Sequence, residues 1–72
     1  MEIRAKRIKE TAKAELLEVC VSFNDKMSLR QLWMPKSVIN WLNDEVIEIA
    51  DWFASKTSKA NAYNGYLMNF EY

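Results

Sequence analysis

The sequence contains no histidine, and it has one cysteine, one glycine and one proline among its 72 residues. The lone cysteine, Cys20, has no partner for an intramolecular disulfide, and without histidine or paired cysteines no zinc motif can be written. Histidine is also the commonest general acid or base, and the single glycine, Gly65, cannot build a glycine-rich phosphate loop. We therefore expect a non-catalytic protein without a metal ion or a cofactor.

Long apolar runs are missing as well. No stretch approaches the roughly 20 apolar residues that span a bilayer, and the first residues lack the apolar core of a signal peptide. Half of the residues are hydrophobic and 28% are charged, which is typical of one folded domain rather than of a disordered chain. A reducing, cytoplasmic location fits this composition, and we expect Cys20 to be a small buried hydrophobic residue.

Positive and negative charges balance overall but are unevenly distributed. Residues 1–13 hold five basic and two acidic side chains, a local charge of +3, whereas residues 37–55 hold four acidic and no basic ones. A charge of +3 is small beside the dense positive surfaces that hold nucleic acid. A solvated surface is the usual explanation of such a distribution.

The first half of the chain predicts a strand meander. Residues 16–23 alternate at Leu17, Val19, Val21 and Phe23, as a half-buried strand does. A turn at residues 24–26 then leads into an antiparallel strand over residues 28–34. Residues 1–13 also have helical spacing, so a strand over residues 2–9 and an amphipathic helix both remain open; we favour the strand.

Pro35 divides the chain, because proline cannot donate to a sheet ladder and must end the strand or lie on an edge. Beyond it, Ser37 is expected to cap a short turn or helix over residues 38–42. A strand over residues 45–49, a short helix over residues 50–56 and a turn at Asn64 and Gly65 complete the prediction. The fold class is α+β, with a small antiparallel sheet of three to five strands and one or two short helices in a single compact unit.

We divide the chain into a β-rich domain, residues 1–58, and a C-terminal aromatic arm, residues 59–72. The arm is amphipathic as a strand and as a helix, so its apolar face needs a partner. Three alternatives stay open: docking on its own sheet, dimerisation by strand addition, and insertion into another protein.

Three segments carry a resemblance. They are residues 9–19, residues 32–39 with the pattern Trp-x-Pro-Lys-Ser-x-Ile, and residues 47–56. In this order they resemble small proteins of bacteriophages and prophages, over residues 9 to about 56. The resemblance implies a small β-rich protein that acts inside a bacterium by binding and inhibiting host machinery, including CRISPR effectors. Residues 40–42 and 59–72 depart from the pattern.

Tryptophan is the largest anchor available, and in a chain of this size we expect at least two of Trp33, Trp41 and Trp52 to lie in the core. Trp33 is the candidate for exposure, since alternation places it opposite Leu32 and Met34. We expect a protein-binding inhibitor, with a homodimer possible, and its predicted partner-binding residues are Trp33, Lys36, Tyr63, Tyr66, Phe70 and Tyr72. The alternative is an accessory single-strand-binding module for recombination or replication, which would use Arg4, Lys6, Arg7, Trp33 and Lys36.

Overall fold

An antiparallel meander of three strands occupies the first half of the protein in the computed structural model, which describes residues 1–72. The strands are β1 (Glu2–Glu10), β2 (Ala14–Phe23) and β3 (Lys26–Pro35). Residues 1–13 are therefore a strand followed by a turn, and the helical alternative is excluded. The predicted strands over residues 16–23 and 28–34 are confirmed. Both begin two residues earlier than predicted, and β3 also ends one residue later.

The second half contributes short elements that complete the sheet. They are a 3₁₀ turn (Lys36–Val38), β4 (Ile39–Trp41), β5 (Val46–Ile49), the helix α1 (Asp51–Ala60) and β6 (Asn69–Phe70). The strand order is β3-β2-β1-β5-β4, with β6 paired to β2, and every pairing is antiparallel. The fold is thus a six-stranded antiparallel sheet with one helix, one strand more than predicted. The strand that the sequence did not predict is β4, which lies within residues 38–42, where a turn or helix was expected.

Strand β1 belongs to both halves of the sheet. Its first residues pair with β5, through Ile3 opposite Ile47, and its later residues pair with β2, from Ala5 opposite Val19 onward. A bulge lies between Arg7 and Lys9, which increases the local twist. The residues of β1 before Ala5 pair with β5 instead of β2, so the last part of β2 has an edge that β6 occupies.

The core lies on one face of this curved sheet. Leu17, Val19 and Val21 contribute the alternating face of β2, and both halves of the sheet, α1 and the C-terminal segment supply the rest. The complete cluster is Ile3, Ala5, Leu17, Val19, Val21, Met34, Ile47, Ile49, Ala54, Met68 and Phe70.

The prediction that at least two tryptophans lie in the core is wrong. Trp33 and Trp52 are exposed, and Trp41 is half-buried at the edge of the core. Aliphatic side chains, two methionines and Phe70 fill the interior instead, because the alternation of the strands directs most of these smaller residues inward.

Two predicted turns are confirmed. Asn24 and Asp25 have φ of 50° and 67°, the left-handed pair of a type I′ hairpin turn, and Asn64 and Gly65 have φ of 50° and 81°. The turn or helix predicted over residues 38–42 is wrong in its position, because the 3₁₀ turn covers Lys36–Val38 and most of the predicted segment is the strand β4. No side chain caps the short 3₁₀ turn, and Ile39 and Trp41 pair with Ile49 and Ile47 in the sheet instead. The pairing with β5 outweighs the local preference for a turn.

The helix α1 and the residues after it lie against the sheet. It runs to Ala60, four residues beyond the predicted end, and no helix of the protein is both long and apolar enough to cross a membrane. Met68 and Phe70 are buried in the core cluster, and β6 pairs with β2. Of the three alternatives for the arm, docking on its own sheet is therefore the one that these residues show.

Candidate binding surface on strand β3

The β2–β3 turn determines which residues of β3 form backbone hydrogen bonds to β2. In a two-residue type I′ turn, the N–H of Lys26 bonds back to Phe23, and bonded pairs then recur at every second residue of an antiparallel ladder. The same alternation is seen at the other end, where the N–H of Lys36 donates to the carbonyl of Lys13 at 2.8 Å. The even-numbered residues of β3 therefore bond to β2.

The odd-numbered residues of β3 direct their backbone groups away from β2. Since β3 ends the strand order, the N–H and C=O groups of Met27, Leu29, Gln31 and Trp33 form a free sheet edge. Pro35 occupies the next odd position, so its missing N–H removes no bond to β2. This explains how a proline is tolerated in the strand. The prediction that the strand ends at Pro35 or lies on an edge is confirmed, because β3 ends there and is an edge strand.

The side chains of the same odd-numbered residues lie on the outer face of the sheet. Met27, Leu29 and Trp33 are 61%, 65% and 49% exposed, and we call these three residues the β3 row. A row of large apolar side chains beside an unpaired backbone edge is a surface that native proteins normally cover or interrupt with charge. The β3 row is therefore a candidate docking surface.

Basic side chains on β1 border this row across the outer face. The ammonium of Lys9 lies 6.0 Å from the centre of the Trp33 ring, within the range of a cation–π contact. Between the strands lies a shallow depression of about 360 Å³ that contains Lys6, Glu18, Cys20 and Leu29. Cys20 is half-buried there, directly opposite Leu29, so it is less buried than predicted.

Trp33 lies on the face opposite Leu32 and Met34, as predicted, but Lys36 is not beside it as a free cation. The Lys36 ammonium donates to the Glu10 carboxylate at 2.5 Å. This hydrogen bond, and then the charge of Lys36, hold the pKa of Glu10 below its ordinary value of 4.5. Lys36 therefore joins the end of β3 to the end of β1.

Arg7 stabilises the fold in a similar way. Its guanidinium forms a salt bridge with Glu15, whose side chain is almost completely buried, and lies 4.9 Å from the centre of the Trp41 ring. The Trp41 indole donates to the same carboxylate at 3.2 Å. Arg7 is thus held on the core side of the sheet rather than on its outer face.

Arg4 and Lys6 are the remaining cations predicted for nucleic acid. Arg4 lies 3.4 Å from a carboxylate oxygen of Glu45 and 5.6 Å from the centre of the Tyr72 ring. Lys6 is opposite Glu18 on β2. Three of the four predicted cations, Arg4, Arg7 and Lys36, are therefore in ion pairs.

The structure separates the predicted aromatic residues of the arm. Tyr63, Tyr66 and Tyr72 are exposed, whereas Phe70 is 8% exposed and packs in the core. The ring of Phe70 is accordingly not available to a partner in this fold. Tyr63 and Tyr66 lie near the β2–β3 turn, and Tyr72 lies near Arg4 on β1, so the arm does not form one continuous surface.

Met27 and Leu29 are the surface residues that sequence reasoning missed. Their signal is present in the sequence, because Met27, Leu29 and Trp33 share the two-residue period of a strand. The face that this period places outward depends on the pairing with β2, where Leu29 lies opposite Cys20 and Trp33 opposite Leu16. A register shift of one residue would have buried the row.

Comparisons with known proteins add no assignment. No protein-family model matches the chain, and no curated protein and no solved structure shows significant similarity to it. The case for a function therefore rests on the β3 edge and its side chains.

Proposed function

We propose that this protein is a non-catalytic binding domain that attaches to another protein through β3 and inhibits it. The observation that carries the proposal is the coincidence of two features on one strand. The backbone groups of residues 27, 29, 31 and 33 form a free edge, and the apolar side chains of the β3 row stand beside it. Strand addition uses this combination, since the backbone supplies affinity and alternate side chains supply specificity.

The partner segment is an extended chain with apolar residues at alternate positions. Its backbone would pair with Leu29, Gln31 and Trp33, and its side chains would cover Leu29 and Trp33 on the outer face. Trp33 is the anchor of this contact, because tryptophan is enriched among the residues that dominate binding energy. Lys9, beside the Trp33 ring, would favour an acidic residue at the rim of the partner segment.

Inhibition is the activity that best fits a small domain of this kind, because occupying a surface of a larger protein is enough to block it. The resemblance to phage proteins makes a bacterial host factor, in defence or in replication, the partner class that we propose. A CRISPR effector is one such factor.

A single-strand-binding module at Arg4, Lys6, Arg7, Trp33 and Lys36 has less support. Arg4, Arg7 and Lys36 already contact carboxylates, so phosphate binding would have to break these ion pairs. Nucleic-acid affinity depends on cations that are free to release counterions from phosphates. A protein partner at the β3 row is therefore better supported than a nucleic acid at these five residues.

Affinity capture from a bacterial lysate tests the proposal, with partners identified by mass spectrometry. The test variants are Trp33→Lys, which places a charge in the row, and Gln31→Pro, which removes an N–H from the free edge. Trp52→Lys is the matched control, because Trp52 is also exposed, at 63%, but lies on α1.

We expect a specific partner to be captured by the unchanged protein and by Trp52→Lys, and to be lost with both β3 variants. The partner's activity should fall when the unchanged protein is added and recover with Trp33→Lys. Capture that is equal for all four proteins would exclude β3 as the interface. Capture without any effect on the partner's activity would exclude inhibition.

A further inference from the structure

A second site lies at the far end of the hairpin, between the β2–β3 turn and the turn over residues 63–66. It is a pocket of about 250 Å³, which we call the tip pocket. Aromatic rings and cations line it together, and its principal residues are Phe23, Lys26, Arg30, Tyr63, Asn64 and Tyr66. The construction of the pocket bears on what it can bind.

The aromatic wall is held in place by backbone hydrogen bonds. Tyr63 and Tyr66 exchange N–H to carbonyl bonds of 2.9 Å in both directions, and the left-handed Asn64 and Gly65 close the turn between them. The Tyr63 ring meets the Phe23 ring edge to face, with centres 6.2 Å apart. The two tyrosines are therefore fixed at the mouth of the pocket while their rings stay exposed.

Two cations also line the pocket. Lys26 and Arg30 share one face of β3 with the pocket side of Phe23, and the Arg30 guanidinium lies 5.2 Å from the centre of the Phe23 ring. Neither cation is within ion-pair distance of a carboxylate, and no carboxylate lines the tip pocket. Each of the other three depressions of the surface contains at least one acidic residue.

We propose that the tip pocket binds one nucleotide unit, with the base against Tyr66 and Tyr63 and the phosphate between Lys26 and Arg30. Aromatic rings stack on the faces of bases regardless of their sequence, and adjacent cations neutralise the phosphate. Asn24 and Asn64, on the two turns, offer donors and acceptors to the edge of the base. The volume suits one base with its phosphate at the rim rather than a whole dinucleotide.

The nucleotide unit has two possible sources, a free nucleotide or one residue of a single strand. Both present the same planar base and the same phosphate. The carboxylate side chains of an acidic peptide offer the negative charge but no ring that would stack against Tyr66 and Tyr63. The site is separate from Arg4, Lys6, Arg7 and Lys36, and the proposal does not depend on a protein partner at Leu29 and Trp33.

Fluorescence anisotropy with a labelled oligothymidylate of eight residues tests the proposal, with thymidine monophosphate as an unlabelled competitor. The salt concentration is about 50 mM, where phosphate contacts are strong. The variants are Tyr66→Ala, Tyr66→Phe, and the pair Lys26→Gln with Arg30→Gln. The matched control, Lys56→Gln with Lys59→Gln, removes two positive charges from α1, outside the pocket.

We expect Tyr66→Ala to weaken binding about 5- to 150-fold, the range of one lost base–aromatic stack. Tyr66→Phe keeps the ring and should bind as the unchanged protein does. The double substitution of Lys26 and Arg30 should weaken binding and reduce its dependence on salt concentration. The double substitution on α1 should change the logarithm of the dissociation constant by less than half as much. Circular dichroism of each variant checks that the fold is kept.

Competition by thymidine monophosphate would identify a free-nucleotide site, and its absence would identify a site for strands; both support the proposal. Three results would overturn it. They are no binding of either probe at about 50 mM salt, equal binding by Tyr66→Ala in its folded state, and displacement of the oligonucleotide by polyglutamate at equal charge concentration. The last would show that charge alone governs the site.

Discussion

The indole N–H of Trp41 donates to the buried carboxylate of Glu15, at 3.2 and 3.3 Å from its two oxygens. Glu15 is 3% exposed, so this bond and the salt bridge from Arg7 replace the water that the carboxylate loses on folding. A buried charge with two partners is stable, but one that has lost a partner is costly.

Replacing Trp41 by phenylalanine should therefore destabilise the fold. The substitution keeps an aromatic ring but removes the donor to Glu15, and we expect a loss of about 1–3 kcal/mol in the free energy of unfolding. Urea titration followed by circular dichroism measures it. Trp52→Phe is the control, with an expected change within about 0.5 kcal/mol because Trp52 is exposed. Equal losses in both variants would contradict a role for the indole N–H.

Alanine substitutions at Phe70 and Tyr72 should differ sharply in their effect on stability, although the two residues are only two positions apart. Phe70→Ala leaves a cavity in the core and should cost about 3–5 kcal/mol, enough to unfold much of a domain this small. Tyr72→Ala removes an exposed ring and its cation–π contact with Arg4, for which about 1 kcal/mol or less is expected. Thermal unfolding of the two variants makes the comparison, and similar losses would contradict the docking of Phe70.

Proline substitutions should show which residues of β3 donate their N–H to β2 and which lie on the free edge. Gln31→Pro removes an N–H of the free edge and should leave the protein folded, whereas Leu32→Pro removes a bond to β2 and should cost about 3 kcal/mol or more. Circular dichroism and urea titration distinguish them. Unfolding by Gln31→Pro and tolerance of Leu32→Pro would reverse the proposed alternation.

The β2–β3 turn should gain stability from one substitution. Asp25 has a φ of 67°, and glycine adopts this conformation without strain, so Asp25→Gly should stabilise the protein by a few tenths to about 1 kcal/mol. Asp25→Val places a β-branched residue at positive φ and should destabilise it by about 1–3 kcal/mol. The midpoints of urea unfolding should follow this order, and a more stable Asp25→Val would contradict the turn type.

The Glu10–Lys36 ion pair should make a small contribution that depends on pH. Because Lys36 lowers the pKa of Glu10 in the folded protein, the pair stabilises the fold above the ordinary pKa of 4.5 and loses this effect as the pH falls through the lowered value. The pair is exposed, so the effect is small. A ¹³C-detected titration of the Glu10 carboxyl should give a pKa below 4.5 in the unchanged protein. In Lys36→Gln that pKa should return towards 4.5, and no change would contradict the pairing.

Much of the fold could be predicted from local patterns. The alternation of Val19 and Val21, the Asn24–Asp25 turn and the break at Pro35 determine the meander, and all three act between neighbours in the sequence. The prediction was wrong where distant residues compete with local preference. Ile39 and Trp41 became a strand because they pair with β5, and no local signal announces that pairing.

Only part of the candidate site could be predicted, because part of it depends on interactions between residues that are distant in the sequence. Trp33 was placed correctly by alternation alone, but the ion pairs of Arg7 and Lys36 join residues eight and 26 positions apart. Leu29 became part of the surface through its register with Cys20. The sequence shows that the chain contains cations and large apolar residues. Only the tertiary structure shows which of them are exposed and outside ion pairs.

The division of β1 between two pairings has a kinetic consequence. Its later residues pair with β2 across a short turn, whereas its first residues pair with residues 46–48, more than forty positions away. Closing so long a loop costs more conformational entropy than closing a hairpin turn. The hairpins of β1, β2 and β3 should therefore assemble early. The pairing of β1 with β5 should then limit the rate of folding, and during synthesis on the ribosome it must wait until β5 has emerged.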